Sequence, residues 1–361
     1  MSRFLALLFL AGCAAPPAAW ERLETEPAQD RQDDISLIDP ETGWYVNSLG
    51  KIFRTTNGGR SWTELLHKKG TYWRTILFLD ERRGFAGNLG PGAIEGFRSV
   101  MTSEEFENLN NEVHIDDPTL IYETADGGET WTPAPGVPPG PGGICSMSSL
   151  AEPGRPRLVF AGGRVTGPAR LHRWTEGKGW DAIDLPKACG MVLDVRFTDS
   201  RTGIVCAATD ADPALSRASV LRTEDGGRTW TETYRSARAG ESVWKCSFPT
   251  KDVGYATIRS FIPDKTATRR FVLKTVDGGR TWRELPLVDD YFSRPQAVAF
   301  LTARRGWVGT TARGFETQDG GETWTPVNLG RSINRIRILE SPEGGYVMYA
   351  IGQDLYKGRL R

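Results

Sequence analysis

Five copies of one short phrase constrain this chain more than any other feature. They read Thr55-Thr-Asn-Gly-Gly-Arg-Ser-Trp62, Thr124-Ala-Asp-Gly-Gly-Glu-Thr-Trp131, Thr223-Glu-Asp-Gly-Gly-Arg-Thr-Trp230, Thr275-Val-Asp-Gly-Gly-Arg-Thr-Trp282 and Thr317-Gln-Asp-Gly-Gly-Glu-Thr-Trp324. Asp-Gly or Asn-Gly between strand-like runs is the strongest short hairpin signal, because such turns need positive φ. The side chains of Asn57, Asp126, Asp225, Asp277 and Asp319 can accept backbone N–H groups inside the turn. Trp62, Trp131, Trp230, Trp282 and Trp324 each open the next strand and supply a large apolar anchor. Spacings of 42 to 99 residues between copies mark a repeat architecture.

Each phrase is preceded by an apolar run and then by Gly plus an aromatic or apolar residue. Examples are Ile76-Leu-Phe78 with Gly84-Phe85, Val195-Arg-Phe197 with Gly203-Ile204, and Val298-Ala-Phe300 with Gly306-Trp307. Alternation in these runs reads as strands. One unit is therefore four strands, the make-up of a propeller blade. Residues 143–186 form a degenerate unit in which Glu176-Gly-Lys-Gly-Trp180 replaces the phrase. Residues 332–361 supply only three strands. The missing fourth is expected from Trp20-Glu-Arg-Leu23, which matches Trp62-Thr-Glu-Leu65 and Trp282-Arg-Glu-Leu285. The fold expected is an all-β, seven-bladed β-propeller of four-stranded antiparallel blades, closed by the mature N-terminal strand. Closure removes exposed sheet edges.

The phrase resembles the Asp-box, or BNR, repeat of sialidases, sortilins and the photosystem II stability/assembly factor family, all β-propellers. With the Gly-aromatic second strand, it is most similar to the photosystem II assembly factors. That resemblance implies a non-catalytic propeller binding a membrane-protein partner. The sialidase resemblance is the enzymatic alternative, a glycoside hydrolase or glycan-binding protein. Its chemistry needs three arginines, a Tyr–Glu pair and an Asp. Arg74, Arg294, Arg335, Tyr291, Glu241 and Asp34 are the raw ingredients, but the sialidase Phe/Tyr-Arg-Ile-Pro motif is absent and that ring has six blades. His67, His114 and His172 have no metal-ligand spacing, and there is no Gly-x-Ser-x-Gly elbow. No cofactor or metal is expected.

Residues 1–12 read as a signal peptide, with Arg3 before the apolar Phe4–Leu10 run. Leu10-Ala-Gly-Cys13 looks like a bacterial lipobox, which marks Cys13 for lipidation. Residues 13–19 then serve as a linker and 20–361 as one propeller domain. Ala14 after Cys13 favours the outer membrane, on its periplasmic side. Cys145, Cys189, Cys206 and Cys246 permit two disulfides in an exported chain, in any of three connectivities with Cys145–Cys189 expected first, and buried free thiols are the alternative. Lys plus Arg total 45 and Asp plus Glu 45. That balance gives no support to nucleic-acid binding, and a monomer is expected.

Loops joining second and third strands share one face, and the Asp-Gly-Gly turns share the other. These faces are called here the loop face and the turn face. The loops are long in blades 2 to 5, including an insertion over 89–119 whose Thr102–Leu109 stretch carries helix-capping signals. Function is expected on that face, since binding residues concentrate on loops held by a rigid scaffold. Basic residues recur near inner strands: Arg74, Arg196, Lys245, Arg294, Arg335 and Arg337. Some should reach the channel mouth and dock a carboxylate or acidic segment. The alternative for each is an ion-paired strand residue.

Overall fold

A computed structural model describes residues 18–26, 32–100, 113–139, 142–163 and 169–361. The expected leader over residues 1–12, Cys13 and the Thr102–Leu109 stretch lie outside the described residues. Seven four-stranded antiparallel sheets make a ring, each sheet taking its strands in chain order except the last. That last sheet combines Arg335–Glu340, Tyr346–Ile351 and Leu355–Leu360 with the N-terminal Ala19–Leu23. Trp20 pairs with Gly358 and Leu23 with Leu355. The ring therefore closes as the match between Trp20 and the other anchors requires. The degenerate unit is a full blade, from Ser146–Leu150 to Gly179–Asp184.

The turns form because Thr, Asp and Gly answer one another's needs. In blade 4, Gly226 and Gly227 take φ of 79° and 92°, a region costly for other residues. The Thr223 hydroxyl donates to Asp225 Oδ1 at 2.8 Å and accepts the Gly227 N–H at 3.0 Å. Asp225 in turn accepts the Thr229 N–H at 2.9 Å and the Thr229 hydroxyl at 2.6 Å. The following Trp packs edge-on against an aromatic ring, as Trp230 does against Phe197 with centroids 6.3 Å apart.

Blades meet through a second aromatic contact. Phe197 also stacks flat on Phe160 of the preceding blade at 3.7 Å, and Phe300 does the same on Tyr255 at 3.4 Å. The glycine opening the second strand in blades 2, 4, 5 and 6 lies beneath the aromatic ring that ends its inner strand. A Cβ at Gly254 would sit 2.3 Å from Phe248, and one at Gly306 would sit 2.4 Å from Phe300. The recurrent Gly in the sequence is thus the space left for the ring of its own inner strand.

No disulfide joins the described cysteines, so the expected Cys145–Cys189 bridge is not formed. The two belong to different apolar clusters: Cys145 packs with Tyr72 and Leu89, Cys189 with Phe160 and Val192. Cys206 and Cys246 instead share the cluster between blades 4 and 5. The blade 2 insertion contains a 3-10 helix, Glu95–Val100. Its Val100 packs on the cluster of Leu193, Trp244 and Phe261, and Ser99 donates to Asp212 of blade 4 at 2.5 Å. The insertion therefore reaches across the ring on the loop face. Among the described residues, no helix is long and apolar enough to cross a membrane.

Candidate functional site in the central channel

Inner strands run from the loop face to the turn face, so successive residues line the channel at successive depths. Five of the seven carry an irregularity near their start. The pairing shifts between Gln32 and Asp34, Trp73 and Thr75, Val192 and Asp194, Val243 and Cys246, and Pro295 and Val298. A bulge re-aims the side chain that it leaves out of the ladder. Asp33, Arg74, Trp244 and Lys245 are such residues.

The layer nearest the loop face is a plug. Arg74 donates to Asp33 Oδ1 at 2.6 Å, and Asn334 donates its amide to the Asp33 carbonyl at 2.6 Å. The Trp244 indole N–H reaches Asn334 Oδ1 at 2.9 Å. The guanidiniums of Arg74 and Arg259 lie 5.6 Å and 4.3 Å from the Trp244 ring. All of Asp33, Arg74, Trp244 and Asn334 are buried.

Below the plug lies a charge cluster. Asp34 Oδ1 accepts Arg335 Nε and Arg337 Nη2, both at 3.1 Å, while Asp34 Oδ2 accepts the Thr75 hydroxyl at 2.7 Å. Asp194 accepts the Ser146 hydroxyl, and the Cys246 N–H at 3.1 Å. Arg335 Nη1 and Lys245 Nζ stand 3.4 Å and 3.8 Å from Asp194 Oδ1. Lys245 also donates to the Leu193 carbonyl at 2.9 Å.

Burial alone would raise the Asp34 pKa, but the guanidiniums of Arg335 and Arg337 outweigh it and hold the carboxyl at about 2. The same contest leaves Asp194 below the ordinary carboxylate range. Burial wins at two cations. It brings Arg337 down to about 10, with Asp34 resisting, and Lys245 down to about 7, with Arg335 pushing the same way. Lys245, Arg335 and Arg337 thus share two carboxylates, Arg196 stands beside them without one, and the cluster carries positive charge to spare. Such a surplus in a low-dielectric site favours an added anion.

That surplus faces a pocket. A cavity of ≈240 Å³ occupies the half of the channel nearest the turn face, lined by Ser148, Asp194, Arg196, Cys246, Arg335 and Arg337 among others. Arg196 is exposed and has no ion-pair partner among the described residues.

The structure sorts the sequence candidates. It brings Arg196, Lys245, Arg335 and Arg337 together. Arg74 belongs to the plug. Arg294 lies at the loop-face rim, where its guanidinium donates to the Tyr291 hydroxyl and sits 4.7 Å from that ring. Sequence reasoning missed Asp194, Ser146 and the plug residues Asp33, Trp244 and Asn334. It also expected the binding surface on the loop face, whereas the cationic pocket lies on the turn face. The sialidase ingredients do not gather. Arg74, Arg294 and Arg335 end on Asp33, Tyr291 and Asp34, and Glu241 pairs with Arg238 at 2.6 Å. No metal-holding group of His, Cys, Asp and Glu occurs among the described residues.

No family model matches this chain. A photosystem II assembly lipoprotein, Ycf48 of Synechococcus sp. (strain CC9902), is 24% identical over 248 residues, 65% of this chain and 56% of its own length. A chloroplastic photosystem II stability/assembly factor, HCF136 of Cyanidioschyzon merolae, is 25% identical over 219 residues, 59% of this chain and 46% of that protein. A solved structure of YCF48 bound to D1 peptide superposes with a TM-score of 0.62 at 18% identity, covering 96% of this chain and 97% of that one. The resemblance to photosystem II assembly factors holds. The chain spans about half the length of the curated assembly factors it matches. At 18% identity the YCF48 superposition carries the fold alone.

Proposed function

We propose that this chain is an exported, lipid-anchored propeller that serves as a non-catalytic docking scaffold for a membrane-protein partner. The observation that carries this reading is the positive surplus at the turn-face pocket, where Arg196, Arg335 and Arg337 line the cavity and only Arg335 and Arg337, with Lys245 behind them, pair with Asp34 and Asp194. Guanidiniums grip carboxylates with paired, charge-assisted hydrogen bonds, so the occupant is a carboxylate on an acidic segment of the partner. The relatives support the reading: one is named a lipoprotein, and one YCF48 structure holds a D1 peptide. Residues 1–12 serve as the leader, Cys13 carries the lipid and Ala14 directs it to the outer membrane, periplasmic side. The chain works as a monomer.

Arg196→Ala tests the docking reading, since Arg196 is exposed and its loss leaves the buried pairs intact. Fluorescence anisotropy with an Asp/Glu-rich peptide ending in a free carboxylate should show about tenfold weaker binding, worth about 1.4 kcal/mol. Added salt should weaken the wild type too. Equal affinity in the wild type and Arg196→Ala would overturn the assignment of the pocket.

A further inference from the structure

The closing strand has a direction. Leu355–Leu360 follows the short connection at Gly352–Asp354 on the loop face and runs to the turn face. Ala19–Leu23 pairs with it antiparallel, Ala19 opposite Arg359 and Leu23 opposite Leu355. The chain therefore enters the ring from the turn face. Ala18 is already fixed there, buried in the cluster of Trp307, Leu329 and Met348. Five residue steps separate Cys13 from Ala18, a span of about 18 Å when fully extended. A blade strand of five to seven residues is itself roughly 16–23 Å tall.

We propose that the turn face is the membrane-proximal face of the molecule. This rests on the lipidation of Cys13 stated above. A tether no longer than one blade, leaving from the turn face, cannot bring the loop face down to the bilayer without being drawn taut along the outside of blade 7. Lying on that side is disfavoured by charge. On the outer strand and the residues after it, Arg22 is held by Asp354 and Glu26 by Lys51, while exposed Glu21 and Glu24 would face the anionic headgroups. The turn face carries both signs of charge, with exposed Arg196 and Arg228 beside the turn aspartates, so the length and exit point of the tether decide the orientation. The pocket thus opens toward the lipid, and the long loops of blades 2 to 5 project away from it. The acidic segment docked in the pocket then comes from a part of the partner lying close to the bilayer surface.

Energy transfer to the membrane tests the orientation. The full chain, produced with its lipid, is placed on phosphatidylethanolamine/phosphatidylglycerol vesicles containing an acceptor-labelled lipid. A donor dye is coupled through an azido amino acid at position 228, in the blade 4 turn, or at position 215, in the blade 4 loop. Arg228 and Leu215 are both exposed and occupy opposite faces of one blade, across the ring from the tether. Transfer from position 228 should be about twofold higher, from a donor ~20 Å nearer the lipid. Equal or reversed transfer, with the chain still floating with the vesicles, overturns the orientation while the anchor stands. A wild-type chain that neither floats nor gains lipid mass at Cys13, matching Cys13→Ala, overturns the anchor and takes the orientation with it.

Discussion

Asn57 does in blade 1 what aspartate does in four other blades. Its Oδ1 accepts the Ser61 N–H at 3.0 Å and its amide donates to the Ser61 hydroxyl at 2.8 Å. The turn needs an acceptor at that atom more than it needs a negative charge. In blade 5, partial burial would raise the Asp277 pKa, but the hydroxyl and N–H of Thr281 outweigh it and hold the carboxyl at about 2. A carboxyl depressed on folding contributes stability that is present above its unfolded pKa and lost as pH falls through the folded value. That window runs from about 4, the unfolded value, down to about 2. Asp277→Ala should cost about 1 kcal/mol at neutral pH, by analogy with a lost helix cap, and Asp277→Asn less. In urea unfolding across a pH series, the gap between the wild type and Asp277→Ala should narrow between pH 4 and pH 2. A gap that stays constant would show that the carboxylate bonds do not hold the turn.

At the scale of the blade, the Gly of blades 2, 4, 5 and 6 marks where an aromatic ring lies. Gly254→Ala would drive a methyl group into Phe248, whose ring packs on Trp282 at 6.0 Å. The ring has little room to retreat, so overpacking of about 1–3 kcal/mol is expected. A thermal unfolding midpoint equal to that of the wild type would refute the packing argument. The phrase and its Trp were legible in the sequence because turn chemistry is local. The depth of the channel residues was not. Strict alternation sets Asp33 and Asp34, or Trp244 and Lys245, on opposite sides of a strand. An extra residue in the strand changes that count, and nothing in the amino-acid pattern announces it. Arg335 and Arg337, in an inner strand without a bulge, were readable as one face. Asp194 was hidden beside the Leu193 bulge. Loop lengths drew attention to the loop face, while the pocket depends on inner-strand side chains from five blades, a non-local property.

For the whole molecule, closure by Ala19–Leu23 is the decisive joint. Trp20 lies edge-on to Trp307 at 6.5 Å, bridging blades 7 and 6, and Arg22 pairs with Asp354 at 2.7 Å. A chain starting at residue 24 would leave Leu355–Leu360 as an open edge, a template for pairing with another copy. Sedimentation should then show dimers or larger species, with a lowered unfolding temperature. A truncated chain that stays monomeric at the wild-type midpoint would mean that the other joints suffice.

The plug of Trp244, Arg74 and Asn334 gives the axis a floor. A tube open at both ends could be threaded by a polymer and grip it anywhere along its length. This one is a blind cup, roofed on the far side by the blade 2 insertion. It can receive a chain end or a single reaching side chain, and whatever enters must back out by the same door.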